Sequence, residues 1–288
     1  MSIKLIKQLR EKTGCPMGDC NKAIKECDGD LEKAVDWLRK KGLASAAKKS
    51  SRATSEGIVG IVVGSNKASI IEINSETDFV AKNDKFQTFA KNILEIANES
   101  DIESLDDLNS KKYLESPVVI SEEVKNQISI IGENINLTRL TNLKIENGVI
   151  VSYVHNTIGE NLGKIAVLVS IETDSKSNEV KQFGKQIAMH IAASRPESLS
   201  IDLVDKEKLD RETDILKDQA RASKKPESII DKMVQGRIKK YYSEVVLLEQ
   251  NFVLDDKIKV GDAVENFAKA NNCKLIIKDF KIFVLGER

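Results

Sequence analysis

Residues able to do chemistry are few in this chain. It has two histidines, His155 and His190, and four cysteines, Cys15, Cys20, Cys27 and Cys273. His155 ends a strand-like run and His190 lies in a helical one. They share no element, and no cysteine or carboxylate pair frames either at ligand spacing, so both read as structural. No two cysteines make the Cys-x-x-Cys unit of a zinc site. Cys20 and Cys27 fall on one helical face, as small buried residues do, and nothing asks for an oxidising compartment. Gly-x-x-x-x-Gly-Lys-Ser/Thr, Gly-x-Gly-x-x-Gly and Gly-x-Ser-x-Gly are all missing, which removes the common signatures of phosphate cradles, dinucleotide folds and serine hydrolases. Gly159-Glu160-Asn161-Leu162-Gly163 reads as a hairpin turn. The expectation is a chain with no covalent chemistry and no cofactor, metal or nucleotide of its own.

What remains is contact chemistry. Glu76-Thr77-Asp78-Phe79-Val80-Ala81-Lys82-Asn83 follows an apolar run. Its Glu-Thr-Asp triplet recurs at 172–174, so the triplet reads as a device of the fold that ends a strand and caps a helix. Only the first copy continues into Phe79-Val80-Ala81-Lys82. A large ring just after a capping turn is either tucked into its own core, the ordinary place for an aromatic, or held out to a partner. Arg10, Thr13-Gly14 and Met17 combine a charge, a helix break and an apolar side chain. A small bundle using Met17 as filler fits the same pattern. Lys40, Lys41, Lys48, Lys49 and Arg52 form one short basic cluster, and such runs as a rule are solvated.

The elements that must position these residues follow from periodicity. Residues 1–41 carry three helical stripes: Ile3, Ile6 and Leu9; Met17, Cys20, Ala23, Ile24 and Cys27; Leu31, Ala34, Val35 and Leu38. Thr13-Gly14 breaks the first, Pro16 opens the second, and Asp30 is placed to cap the third. Residues 42–55, rich in Ala, Ser and Lys, read as a mobile linker. The centre then repeats itself. Hairpins opening at Glu56-Gly57-Ile58-Val59 and at Asn147-Gly148-Val149-Ile150 lead to second strands around residues 69–73 and 166–171. Each runs into a helix, with Phe89-Ala90-Lys91-Asn92-Ile93 matched by Phe183-Gly184-Lys185-Gln186-Ile187. Each ends in a third strand, at 135–140 and 275–280. The alternation suits half-buried antiparallel sheets, each covered on one face by helix.

The first core subdomain is thus expected over 56–146. The second spans 147–201 and 243–288, interrupted by an insertion at 202–242. There Leu203, Val204, Leu209, Ile215 and Leu216 stripe one charged helix, and Ile229, Ile230, Met233, Val234 and Ile238 another. Lys224-Lys225-Pro226 stands at the turn. A narrow apolar seam flanked by charge reads as an antiparallel, coiled-coil-like hairpin. The fold class is α+β: a three-helix N-terminal bundle of ubiquitin-associated type, a duplicated antiparallel sheet-plus-helix core and the inserted helical hairpin.

Five segments, in collinear order over nearly the whole chain, resemble the elongation factor Ts family. They are Arg10-Glu11-Lys12-Thr13-Gly14 with Asp19-Cys20-Asn21-Lys22-Ala23, then Glu76 to Asn83, then Tyr153-Val154-His155, then Ile187 to Pro196, then Lys232-Met233-Val234-Gln235-Gly236-Arg237. The chain departs from the family at Ser75, where Cys is frequent, at Met17-Gly18, where Met-Met is common, and at Lys224, where the hairpin turn often carries Gly. Longer members continue past the equivalent of Gly286-Glu287-Arg288 into a C-terminal helix, so a partner contact made there is expected to be missing. The resemblance implies a guanine-nucleotide exchange factor that binds the GTPase elongation factor Tu and promotes GDP release by displacing magnesium and phosphate contacts. It implies GTPase contacts at Thr77, Asp78, Phe79, Val80, Ala81 and Lys82, at Arg10, Thr13, Gly14 and Met17, and at His155, with Phe79 presented rather than buried.

Composition limits the rest. There are 45 basic and 45 acidic residues among 288, a formal net charge of zero, where a nucleic-acid binder usually shows a basic excess. The start, Met1 to Lys7, has no apolar signal core, and the longest apolar stretch, 57–64, is too short for a bilayer. The expected place is the cytoplasm, with no membrane and no direct nucleic-acid partner. Two other classes fit parts of the pattern: an adaptor whose N-terminal bundle takes peptides, and an RNA-binding ribosome accessory using the basic cluster.

Overall fold

The computed structural model describes residues 3–99, 102–222 and 226–287. In chain order it contains α1 (Ile3–Thr13), α2 (Met17–Glu26), α3 (Leu31–Lys49), β1 (Glu56–Val63), β2 (Lys67–Ser75), α4 (Asp78–Ala81), α5 (Asp84–Ala97), α6 (Leu105–Ser110), α7 (Ile120–Ile131) and β3 (Ile135–Lys144). Next come β4 (Gly148–His155), β5 (Leu162–Gly163), β6 (Ile165–Thr173), α8 (Asn178–Ser194), α9 (Lys206–Arg221), α10 (Glu227–Val245), β7 (Asn251–Phe252), β8 (Asp255–Lys259), α11 (Val260–Ala270) and β9 (Leu275–Val284). The class is α+β, with every strand pair antiparallel.

The first three helices close on Leu9, Cys20, Ala23, Ile24, Ala34 and Leu38. Asp30 caps α3, its Oδ1 accepting from the backbone N–H of Glu32 and Lys33 at 3.0 and 3.1 Å. The segment 42–55 is not a mobile linker as far as Lys49: α3 runs through it. Ala44, Ala46 and Ala47 favour helix, and the helix has a surface to lie on. A Cβ on Gly42 would stand 3.1 Å from the Ser129 side chain of α7, and Ala46 is buried in the first sheet's core.

The expectation of half-buried sheets also fails, because the two sheets cover each other. The first has the order β3-β2-β1-β5 and the second β4-β6-β9. Ile58, Ile71 and Ile73 face Phe86, Phe89 and Ile93 of α5. On the second sheet, Val167, Val169 and Ile171 face Phe183, Ile187 and Ile191 of α8. The opposite faces meet: Val59, Ile61, Ala68 and Ile70 pack on Ala166 and Leu168. The order is helix, sheet, sheet, helix, and β2 is buried along its whole length. Each fully buried branched side chain contributes about 1.5–3 kcal/mol, so the inter-sheet layer is part of the core. Its polar members are partnered. Glu72 accepts from Arg139, from Asn74 Nδ2 at 2.8 Å and from Gly286 N at 3.0 Å.

The internal repeat is real in three dimensions but in a different register from the repeated triplets. Gly57 faces Asn74, and Gly148 faces Glu172. Both glycines have positive φ, 133° and 144°. A Cβ there would lie 2.1 Å from Ile73 O and 2.0 Å from Ile171 O, so only glycine fits. Register shifts at Glu72/Ile73 and at Ser170/Ile171 mark the same place in each copy. Ser75 therefore corresponds to Thr173 and Glu76 to Asp174. The two Glu-Thr-Asp triplets are not equivalent, because Glu172 and Thr173 still lie inside β6 while Glu76 and Thr77 follow β2. The shared work is done by Glu76 and Asp174. Each carboxylate accepts the backbone N–H just before the third strand, Asn134 at 2.6 Å and Lys274 at 2.9 Å.

Further differences are local. The Gly159–Gly163 turn also supplies β5 to the edge of the first sheet, because Leu162 is buried in that sheet's core. In the inserted hairpin, Leu216, Ala220, Ile230 and Val234 are buried, but Leu203, Ile215 and Ile229 are exposed and lie outside the seam. Lys224 and Lys225 fall outside the described residues. The helices α6, α7 and α11 and the β7–β8 hairpin have no counterpart in the sequence reading. Two of them were open to periodicity, since α7 carries a stripe of Ile120, Val124, Ile128 and Ile131 and α11 one of Val260, Ala263, Val264 and Phe267; α6 and the β7–β8 hairpin are too short to show a period.

Candidate functional site

The segment Thr77–Lys82 is a strand-to-helix turn held at both ends. Ser75 Oγ donates to Thr77 O at 2.9 Å. Glu76 accepts from Asn134 N, which holds its carboxyl below the usual carboxylate range, and Arg52 assists at 3.3 Å. Thr77 is the N-cap of α4 by position but makes no side-chain cap. Its backbone N–H and its hydroxyl donate to the two oxygens of Glu133, at 3.0 and 2.8 Å. At the far end Asn83 caps α5 through Lys85 N, at 2.9 Å.

One turn of helix cannot bury every side. Val80 and Ala81 point inward, 7% and 2% exposed, and join the first core. Asp78 and Lys82, spaced for contact across a turn, pair at 2.6 Å. The Lys82 ammonium holds the Asp78 carboxyl below its ordinary range. Phe79 is left outside at 78% exposed, the highest value among the large exposed apolar side chains of the described residues. The aromatic rings this region needs for packing are Phe86 and Phe89, both buried. Of the two readings open for Phe79, the core one is excluded.

The other candidates lie around this turn at varying distance. Gly14 has φ +69° and donates to Arg10 O at 2.7 Å, while Thr13 Oγ1 donates to Leu9 O at 2.7 Å. Gly14 packs toward Ile130 of α7. It shares a groove of about 340 Å³ with Asp84, Lys85 and Thr88 at the start of α5, so the helix break of the bundle and the end of the Phe79 turn flank one depression. Arg10 is exposed, as is Met17 at 43%. Neither makes a hydrogen bond or ion pair with α4 among the described residues. His155 is exposed at the end of β4, its Nδ1 3.1 Å from Tyr153 Oη. The loop after it is tied to the Phe79 turn by Gln87 of α5, whose Nε2 donates to Ala81 O at 3.2 Å and to Ile158 O at 3.3 Å. Glu133 and Gln87 escaped sequence reading. Only Gly132, a left-handed helix end just before Glu133, hints that this carboxylate sits at a fixed corner.

His190 is wholly buried. Its Nδ1 accepts Val253 N at 3.2 Å, and its other nitrogen lies 2.9 Å from Gln250 Oε1. Burial pushes its pKa down. Cys15 and Cys20 are buried thiols whose pKa burial pushes up, the opposite of a reactive thiolate. Among the described residues no group of three or more His, Cys, Asp or Glu is placed to hold a metal ion. No described helix is long and apolar enough to cross a membrane.

The candidate site is thus an exposed ring on a clamped turn, set in a duplicated sheet core, with no metal cluster among the described residues. Comparison with known proteins assigns the class. Residues 76–287 match the sequence profile described as Elongation factor TS. The chain is 48% identical over 287 residues to the elongation factor Ts of Rhodospirillum centenum, covering all of this chain and 93% of the relative. It is 47% identical over 289 residues to that of Gluconobacter oxydans, covering 92% of the relative. It is 40% identical over 287 residues to that of Ehrlichia ruminantium, covering 99%. The chain belongs to the elongation factor Ts family of translation elongation factors.

Proposed function

We propose that this chain is a guanine-nucleotide exchange factor that binds elongation factor Tu in the cytoplasm and speeds GDP release. The observation that carries the reading is Phe79, 78% exposed while both residues after it are buried. A free ring costs solvation without return unless something covers it, and covering it contributes roughly 1.5–3 kcal/mol. Asp78, Lys82 and Thr77 surround the ring with polar contacts, Val80 and Ala81 anchor it, and His155 and the Arg10–Met17 corner extend the contact surface. The three-helix unit, which we take as ubiquitin-associated in type, is continuous with α3 as far as Lys49 and serves as a second docking face. The chain otherwise divides into a first sheet unit to residue 146 and a second one interrupted by the hairpin.

No bond needs to be made or broken. A factor that binds the empty GTPase more tightly than the GDP-bound form must weaken GDP by the same factor. Insertion of the Phe79 turn beside the magnesium and phosphate end of the nucleotide site is the proposed means. The test is release of a fluorescent GDP from elongation factor Tu with and without this chain. Release unchanged at saturating chain would refute the proposal. A steep loss of partner binding with salt would instead mark a phosphate-backbone binder.

A further inference from the structure

Four residues do not make a stable helix in water, because one turn fixes many dihedrals for very few hydrogen bonds. The turn α4 is of this kind, and it lacks a side-chain cap of its own. What defines it comes from elsewhere in the chain. The two donors of Thr77, backbone and hydroxyl, converge on the two oxygens of Glu133. Gln87 grips Ala81 O at the other end. Glu133 is itself set on a pinned backbone: Gly132 before it closes α7 in the left-handed region, and Asn134 N after it is held by Glu76. The corner after α7 thus reaches across to the start of the helix that carries Phe79.

From this geometry we infer that Glu133 is a positioning residue for the exchange reaction. Its carboxylate fixes the turn from β2 into α4, and so the direction in which Phe79 stands before a partner arrives. Glu133 acts through Phe79, so the inference rests on the contact role proposed above. A ring already aimed loses less freedom on binding than one on a fluctuating turn. The chemistry also calls for a carboxylate. Two donors need two acceptors, and Glu133 has one oxygen for each. Glu133→Gln keeps the length, but its NH₂ can meet the Thr77 hydroxyl only if that hydroxyl turns from donor to acceptor, and the negative charge that strengthens both bonds is lost. Glu133→Ala removes both bonds.

The experiment is a double-mutant cycle on the full chain, read by GDP release from elongation factor Tu and by amide hydrogen exchange at residues 78–82. Glu133→Ala is expected to slow stimulated release on the order of tenfold, the change that 1.4 kcal/mol corresponds to. Amides of α4 should lose protection while those of β2 keep theirs. Glu133→Gln should fall between, which covers the case in which the alanine variant folds poorly. In a Phe79→Ala background the Glu133 effect should shrink to less than about twofold, because coupled residues do not add. Equal losses with and without the Phe79 ring would overturn the inference, since Glu133 would then act elsewhere. Unchanged protection of α4 in both Glu133 variants would overturn it as well. A wild-type chain that leaves GDP release unaltered would remove the proposed function, and this role in exchange with it. A stimulating wild type with fully active Glu133 variants would remove only the inference.

Discussion

Removing the Phe79 ring takes almost nothing from this protein's own core, since it is 78% exposed. Phe79→Ala is therefore expected to leave the melting temperature nearly unchanged and to slow GDP release by one or two orders of magnitude. That range follows from losing roughly 1.5–3 kcal/mol of burial at the partner, at about tenfold per 1.4 kcal/mol. Thermal unfolding and stopped-flow release on the same variant decide it; normal exchange from the folded variant would end the interface reading. His190 makes a different demand. Its Nδ1 accepts from a backbone N–H and its Nε2–H donates to Gln250, so the folded ring is neutral. Phe252 packs beside it, and no charged side chain raises its pKa. Burial depresses its pKa in the folded state relative to the unfolded chain. The unfolded chain then takes up a proton first as pH falls, so this contribution to stability is present above the usual histidine value and is lost as pH drops through and below it. Urea unfolding at pH 7.5 and 5.5 should show lower stability at the acid end. An NMR titration should find the ring still neutral below the ordinary histidine range, and titration at the ordinary value would contradict the assignment.

At the scale of elements, the inserted hairpin is the clearest separable piece. Its seam of Leu216, Ala220, Ile230 and Val234 is its own, and its outer faces are charged. Replacing residues 206–245 by a short turn is expected to leave measurable exchange, because Phe79 and Glu133 lie on other elements. Complete loss of exchange from a folded variant would reassign the arm to the site. This hairpin was legible in the sequence because both helices are long and their apolar positions recur. So were the two sheets, whose third strands and paired glycines follow one pattern. What misled was the repeated Glu-Thr-Asp. Three identical letters suggested equivalent places, but strand pairing sets Glu76 against Asp174. A register shift of this kind is invisible until the third strands are paired. The clamps Glu133 and Gln87 were illegible for a related reason. Glu133 reaches Thr77 across 56 residues of sequence, and Gln87 links Ala81, six residues back, to Ile158, 71 residues on; side-chain hydrogen bonds of this kind leave no periodic trace. The residue pattern alone singled out Phe79 without placing it, because Phe86 and Phe89, which fill the core instead, are equally aromatic; only the family resemblance set it outside.

For the whole molecule, the question is how far the N-terminal helices are independent of the core. The continuous α3 answers against independence. Arg39 pairs with Glu122 of α7 at 2.7 Å, Lys49 Nζ donates to Ile128 O at 3.5 Å, and Ala46 is buried in the first sheet's core. The segment after α3 is tied down too, since Asn134 Nδ2 donates to Arg52 O at 2.8 Å and Asn136 Nδ2 to Thr54 Oγ1 at 3.0 Å. Deleting residues 1–54 therefore does two things at once. It removes Arg10, Thr13, Gly14 and Met17 from the proposed contact surface, and it uncovers the side of α7 that holds Glu133 in place. The truncated chain is expected to keep its sheets but melt several degrees lower, at roughly 2–4 °C for each kcal/mol lost in a chain of this size. Its affinity for elongation factor Tu in calorimetry should fall. The two effects separate in the full chain: Arg10→Ala with Met17→Ala changes only exposed side chains, so the melting temperature should hold while affinity drops. If that double variant binds normally and the truncated chain does not, the helices serve the site by bracing α7 rather than by touching the GTPase. If both bind normally, the N-terminal unit has no part in the contact, and the surface contracts to the Phe79 turn and the His155 loop.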